Sequence, residues 1–147
     1  MHCHHLEKSV ANNYLVTLLI AVASYSGFSD AKGSDSALHL DPSLPTNLAL
    51  AFANDNNIEP DISAFKVLNV VPMSSRSGRR VAMLTIENTE SGQRSLNHQQ
   101  VMGLFADGMR RSPEAFKQLF TGRQRLSITV DFAQYDHPLL QVYTRNE

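Results

Sequence analysis

Residues 125–132, Arg-Leu-Ser-Ile-Thr-Val-Asp-Phe, alternate without a fault: Leu126, Ile128, Val130 and Phe132 fall on one side, Ser127, Thr129 and Asp131 on the other. That period of two is the pattern of a half-buried strand. Gln-Tyr-Asp-His-Pro at 134–138 turns the chain, and Leu-Leu-Gln-Val-Tyr-Thr at 139–144 predicts a returning strand. Residues 64–71 (AFKVLNVV) are β-branched and apolar with no clean alternation, as in a strand buried on both faces. In residues 81–88, Ala82, Leu84 and Ile86 share one side. The intervening PMSSRSGRR predicts a loop, so these two strands form a hairpin with a long basic tip.

Two other stretches carry helical spacing. Pro45 suits a first helical turn, Leu48, Leu50, Ala51 and Phe52 follow it, and Asn56, Asn57 and Pro60 close the stretch, which predicts a short helix over 45–54. Val101, Met102, Phe105 and Met109 stand at i, i+1, i+4 and i+8, with Phe116, Leu119 and Phe120 beyond them. Ser112-Pro113-Glu114 reads as a new helix start and Gly122 as a C-cap, so the region predicts a kinked helical pair. The order is helix, two strands, helical pair, two strands, without the βαβ alternation of a parallel sheet. The expected class is α+β: a small antiparallel sheet of about four strands with the N-terminal helix and the central helical pair on one face.

Before this domain lies an uncharged run, YLVTLLIAVA at 14–23, preceded by Lys8 and followed by a Ser/Gly/Asp-rich segment. It is half the ~20 residues a membrane span needs, and it matches the roughly 7–15 residues of a secretory leader. Ala21-Val22-Ala23 supplies the small-x-small pattern for cleavage after Ala23, with Ala31 as second choice. The organisation expected is a signal peptide at 1–23, a flexible linker at 24–43 and one α+β domain at 44–147. The location is then periplasmic or secreted, with no transmembrane helix in the mature chain; an uncleaved chain would be cytoplasmic. Cleavage removes Cys3, the single cysteine, and leaves a thiol-free chain suited to an oxidising compartment. It also removes the opening MHCHH, which has metal-ligand residue types but no second pair at zinc-site spacing, so no metal and no cofactor is expected.

With 42% apolar and 18% charged residues, the 147-residue chain has the composition of one globular domain. Its net charge of −1 conceals an asymmetry. Asp30, Asp35, Asp41, Asp55, Glu59 and Asp61 face only Lys32 between 24 and 65, whereas ten basic residues stand against Glu87, Glu90, Asp107 and Glu114 between 66 and 125. Arg76, Arg79 and Arg80 on the hairpin tip, with Arg110 and Arg111, are the candidate contacts for an anionic envelope component or another protein.

Other chemistries have weaker patterns. DNNIEPD starts like a calcium loop but has Pro60 where the sharp turn needs glycine and Lys66 where the bidentate acid belongs. No G-x-S-x-G elbow or phosphate-binding glycine loop occurs. A small hydrolase using His98 or His137 as base, with Asp131 or Asp136 to orient His98, is one alternative. A DNA-binding regulator is another: LFADGMRRSPEAFKQLFTG, 104–122, resembles a helix-turn-helix, although Gly108 stands four residues before Ser112 instead of about two. Export argues against nucleic acid. The expected function is that of a small exported, non-catalytic binding or accessory protein of the bacterial cell envelope.

Overall fold

The computed structural model describes residues 34–45, 48–53 and 58–146, all within one compact unit, and nearly all of their regular structure is strand. The strands are β1 (Leu38–Leu40), β2 (Phe65–Ser75), β3 (Arg79–Asn88), β4 (Arg94–Asn97), β5 (Met102–Phe105), β6 (Arg110–Arg111), β7 (Lys117–Phe120), β8 (Arg125–Gln134) and β9 (Leu139–Tyr143). They form a four-stranded sheet in the order β1-β2-β3-β8, a three-stranded sheet β6-β5-β9 and a two-stranded ribbon β4-β7, every pair antiparallel.

The α+β expectation is therefore overturned: the domain is nearly all β. Residues 98–122, expected as a helical pair, hold one 3-10 turn at His98–Gln100 followed by β5, β6 and β7. Local capping does start that turn, since Asn97 Oδ1 accepts Gln99 N–H at 2.9 Å and Gln100 Oε1 accepts Asn97 N–H at 3.1 Å. It stops at Val101, which is extended at φ −122° and ψ 134°. Met102, Gly103, Leu104 and Phe105 are all buried, as expected of the middle strand of a sheet covered on both faces. A Cβ on Gly103 would come within 2.7 Å of the Phe132 ring, so that glycine lets β5 approach β8. The helix-turn-helix resemblance of 104–122 falls with the helices.

The N-terminal helix is likewise not seen. Residues 45 and 48–53 are non-helical, with only a turn from Leu48 N–H to Pro45 O, while 46–47 and 54–57 lie outside the described residues. The leader, the cleavage sites and MHCHH also lie outside them. Leu38–Leu40, inside the stretch read as linker, pairs with Met73–Ser75 as β1. Among the described residues no helix is long and apolar enough to cross a membrane.

One core joins all three sheets. Ala82, Leu84 and Ile86 of β3 and Val130 and Phe132 of β8 point into it, and Leu96, Val101, Phe105, Phe120, Leu139 and Val142 close it from the other side. Phe65 and Phe120 rings lie 5.0 Å apart, and Phe105 meets Phe132 edge-on at 5.8 Å. Such pairs add about 0.5–1.5 kcal/mol each beyond the area they bury.

Candidate functional site

The long strands β2, β3 and β8 give the domain two ends. At one end lie the β2–β3 turn, the β5–β6 turn and the connection from β8 to β9. The tip expected to be long is short: β2 runs through Pro72 to Ser75, and only residues 76–78 separate it from β3. Gly78, at φ +84°, closes that turn with its N–H on Ser75 O (3.1 Å).

The five candidate arginines reach this end but differ in what holds them. Arg79 is ion-paired with Asp131, its Nε donating to Oδ2 at 2.8 Å, and the bond and charge of that carboxylate raise its already high pKa. Arg80 donates from Nε to Tyr135 O (2.8 Å), from Nη2 to Asp136 O (2.9 Å) and from Nη1 to Ser74 Oγ (2.5 Å). It thereby ties the β8–β9 connection to the hairpin using neutral acceptors. Arg111 lies over the Tyr135 ring, 4.5 Å from its centroid, in cation–π contact. Arg76 is exposed at the turn, and Arg110 lies beside Arg111 on β6, which borders β5. Arg80 and Arg111 thus converge from different hairpins on one tyrosine, and among the described residues neither is ion-paired to a carboxylate.

Tyr135 is the centre of this end. Its OH donates to Asp107 Oδ2 at 2.5 Å, its ring packs on Phe105 at 4.8 Å, and His137 stands edge-on at 5.8 Å. Asp107 sits in the turn between β5 and β6, where its Oδ1 accepts Met109 N–H (3.1 Å) and Gly108 takes φ +83°. Burial works against the Asp107 carboxylate, yet the bonds from Tyr135, Met109 and its own N–H, with the nearby His137, outweigh it and hold its pKa below the usual value. Tyr135 is raised by the bond to Asp107, by burial and by the Asp107 charge, against a lowering by Arg111. A phenol kept protonated and already donating is a clamp, not a nucleophile.

The hydrolase candidates gain little from this geometry. His137 Nε2 is 3.9 Å from Asp107 Oδ2, beyond hydrogen-bond reach, and that oxygen already accepts Tyr135. His98 sits in the 3-10 turn, whereas Asp131 is engaged by Arg79. Among the described residues, no three His, Cys, Asp or Glu side chains gather as metal ligands would.

Clefts open elsewhere on the surface of the described residues. One, about 280 Å³, is lined by Asn69, Val70 and Pro72 of β2, residues 140–143 of β9, and Ser43 with Leu44. Another, about 590 Å³, lies at the opposite end, among Ser63, Thr89, Glu90, Arg94, Ser95, Gln100 and Asn146.

The class defined here is a small antiparallel β domain with an arginine-and-tyrosine end and a cleft between two strand edges. No protein-family model, curated protein or solved structure matches the chain. Sequence reasoning missed Tyr135 and Asp107, although Asp107-Gly108 is a standard signal for a hairpin turn.

Proposed function

We propose that this chain is a non-catalytic binding domain, an accessory factor of the cell envelope, that takes an anionic partner at its arginine end. The observation carrying this is the convergence of Arg80 and Arg111 on Tyr135, two cations with no carboxylate ion pair among the described residues, beside the exposed Arg76. Arg79 and Arg80 hold the turns in place, which leaves Arg76 and the outer face of Arg111 to meet the partner. The clamp of Tyr135 on Asp107 fixes the platform under Arg111, so little order has to be acquired on binding. The assignment to the envelope rests on the apolar run 14–23 alone.

The test uses the full chain and two probes, fluorescein-labelled decaglutamate and vesicles of anionic phosphatidylglycerol. Binding to at least one should weaken steeply with salt. The pair Arg76→Ala and Arg111→Ala should lower affinity about tenfold, ~1.4 kcal/mol, without changing the unfolding midpoint by more than a few degrees. Unchanged binding in that double variant, or no binding to either probe, would show that these charges only solvate the surface.

A further inference from the structure

The cleft of about 590 Å³, at the end away from Tyr135, has its backbone fixed and much of its side-chain chemistry unspent. Ser63 N–H donates to Arg145 O at 2.8 Å, and Ser95 is held in the β4–β7 ladder opposite Leu119. Glu90 is pinned through its main chain, its N–H on Asn88 Oδ1 (3.1 Å) and its carbonyl accepting Arg123 N–H (2.8 Å). Gln100 gives its Oε1 to Asn97 N–H in the capped 3-10 turn, a bond in which its NH2 group takes no part. A ligand entering here meets walls that need little ordering.

The buried hydroxyls are the first sign of such a ligand. Ser63, only 8% exposed, and Ser95 both line the cleft, and among the described residues neither Oγ has a hydrogen-bond partner. An unpaired buried hydroxyl destabilises a fold that alanine would serve as well, so two around one cleft call for a partner outside the fold. A serine hydroxyl can donate and accept at once, and a turn about its one side-chain bond re-aims it.

The charges are the second sign. Glu90 and Arg94 line the same cleft and both are exposed, yet among the described residues neither is ion-paired, to the other or to a third group. An acid and a base that border one cleft without joining suit a ligand that carries both opposite charges. A polyanion gains nothing there, because Glu90 opposes what Arg94 attracts; the chemistry is therefore not that of the arginine end.

We infer that this cleft binds a short peptide of two or three residues with both termini free. Arg94 takes the carboxylate, with the paired N–H groups that suit it, and Glu90 takes the α-ammonium. The hydroxyls of Ser63 and Ser95 and the NH2 of Gln100 serve the peptide's backbone amides. Capture of chain termini is a recurring mode of peptide recognition. The length follows from reach: two or three residues separate the termini by roughly 7–10 Å, which bridges two side chains that do not touch, whereas a free amino acid spans about half of that or less. This inference does not depend on the function proposed above.

The experiment titrates the full chain with trialanine, followed by calorimetry and by backbone amide chemical shifts. Trialanine should bind with a Kd of about 1 mM or tighter, and the shifts should centre on Ser63, Glu90, Arg94, Ser95 and Gln100. N-acetyl-trialanine and trialanine amide, each lacking one terminal charge, should bind about fivefold more weakly. Arg94→Gln should weaken trialanine by the same factor and leave the amide unaffected; Glu90→Gln should weaken trialanine and leave the acetylated peptide unaffected. Neither side chain is tied to the rest of the fold, so both variants should keep the wild-type unfolding midpoint. Ser63→Ala should bind trialanine more weakly while being no less stable, a combination that a purely structural serine would not give. No saturable binding of trialanine at millimolar concentration overturns the inference, as do blocked peptides that bind as well as the free one, or shifts centred on Arg111 and Tyr135. Decaglutamate binding at the arginine end is read separately, so either proposal can fail while the other stands.

Discussion

At the arginine end, Arg79 meets Asp131, Arg80 meets three acceptors, and Tyr135 meets Asp107. At the opposite end, Asn88 is as well satisfied: fully buried, it donates to Gly92 O (2.8 Å) and Thr121 O (2.9 Å) and accepts Glu90 N–H (3.1 Å). Yet nearby the buried hydroxyls of Ser63 and Ser95 have no hydrogen-bond partner among the described residues. Both ends are rich in polar side chains, but at the arginine end they converge on the tyrosine that carries Arg111, whereas around Asn88 they hold loops and leave hydroxyls over. Polar content alone therefore does not distinguish the two ends; which groups are fixed, and what they present outward, does.

The largest effect that would break this comparison is expected at Asn88. Asn88→Ala removes three bonds from a fully buried side chain, one of them the side-chain tie to Thr121 O that supplements the backbone bonds between the two turns, so it should cost about 2–3 kcal/mol in urea unfolding. The packing there is tight, since a Cβ on Gly122 would fall 1.8 Å from Ser91 O. A loss well below 1 kcal/mol would mean that these turns do not depend on their asparagine.

Next comes Tyr135→Phe, which leaves the ring for Arg111 and Phe105 but takes the proton donor from Asp107; the expected loss is about 1 kcal/mol at neutral pH. Asp107 has its pKa lowered in the folded chain, so its ionised form is favoured by folding. That contribution is present above the unfolded carboxylate pKa, about 3.9, and disappears as pH falls through the lower folded value. Parallel pH titrations of stability should show wild type and Tyr135→Phe converging below about pH 4. A gap that persisted there would trace the effect to something other than the ionised Asp107.

The smallest effect should have the opposite sign. Ser63→Ala and Ser95→Ala remove hydroxyls that have no partner among the described residues, so each should leave stability unchanged or raise it by up to about 1 kcal/mol. A clear loss in thermal unfolding would reveal a bond that these hydroxyls make.

Four strands were legible from the sequence: those expected at 64–71, 81–88, 125–132 and 139–144 are β2, β3, β8 and β9. They are long enough for β-branched content or alternation to show. β4 to β7 run only two to four residues, too short for a period to register, and the all-buried Met102–Phe105 imitated a helix face once Met109 and Phe116 were counted with it. Gly103 and Gly108 argued against that helix, since each would cost about 1 kcal/mol in a helix interior. The gathering of arginines from 76–80 and 110–111 is a product of β5 and β6 folding back toward the β8–β9 connection, which no local pattern records.

The most direct measurement maps where decaglutamate lands, by following backbone amide chemical shifts of the full chain during titration. The account predicts that the shifts concentrate at Arg76, Arg111, Tyr135 and His137, and that they vanish at high salt. Shifts centred instead on Ser63, Glu90, Arg94 and Gln100 would place binding at the other end and contradict it.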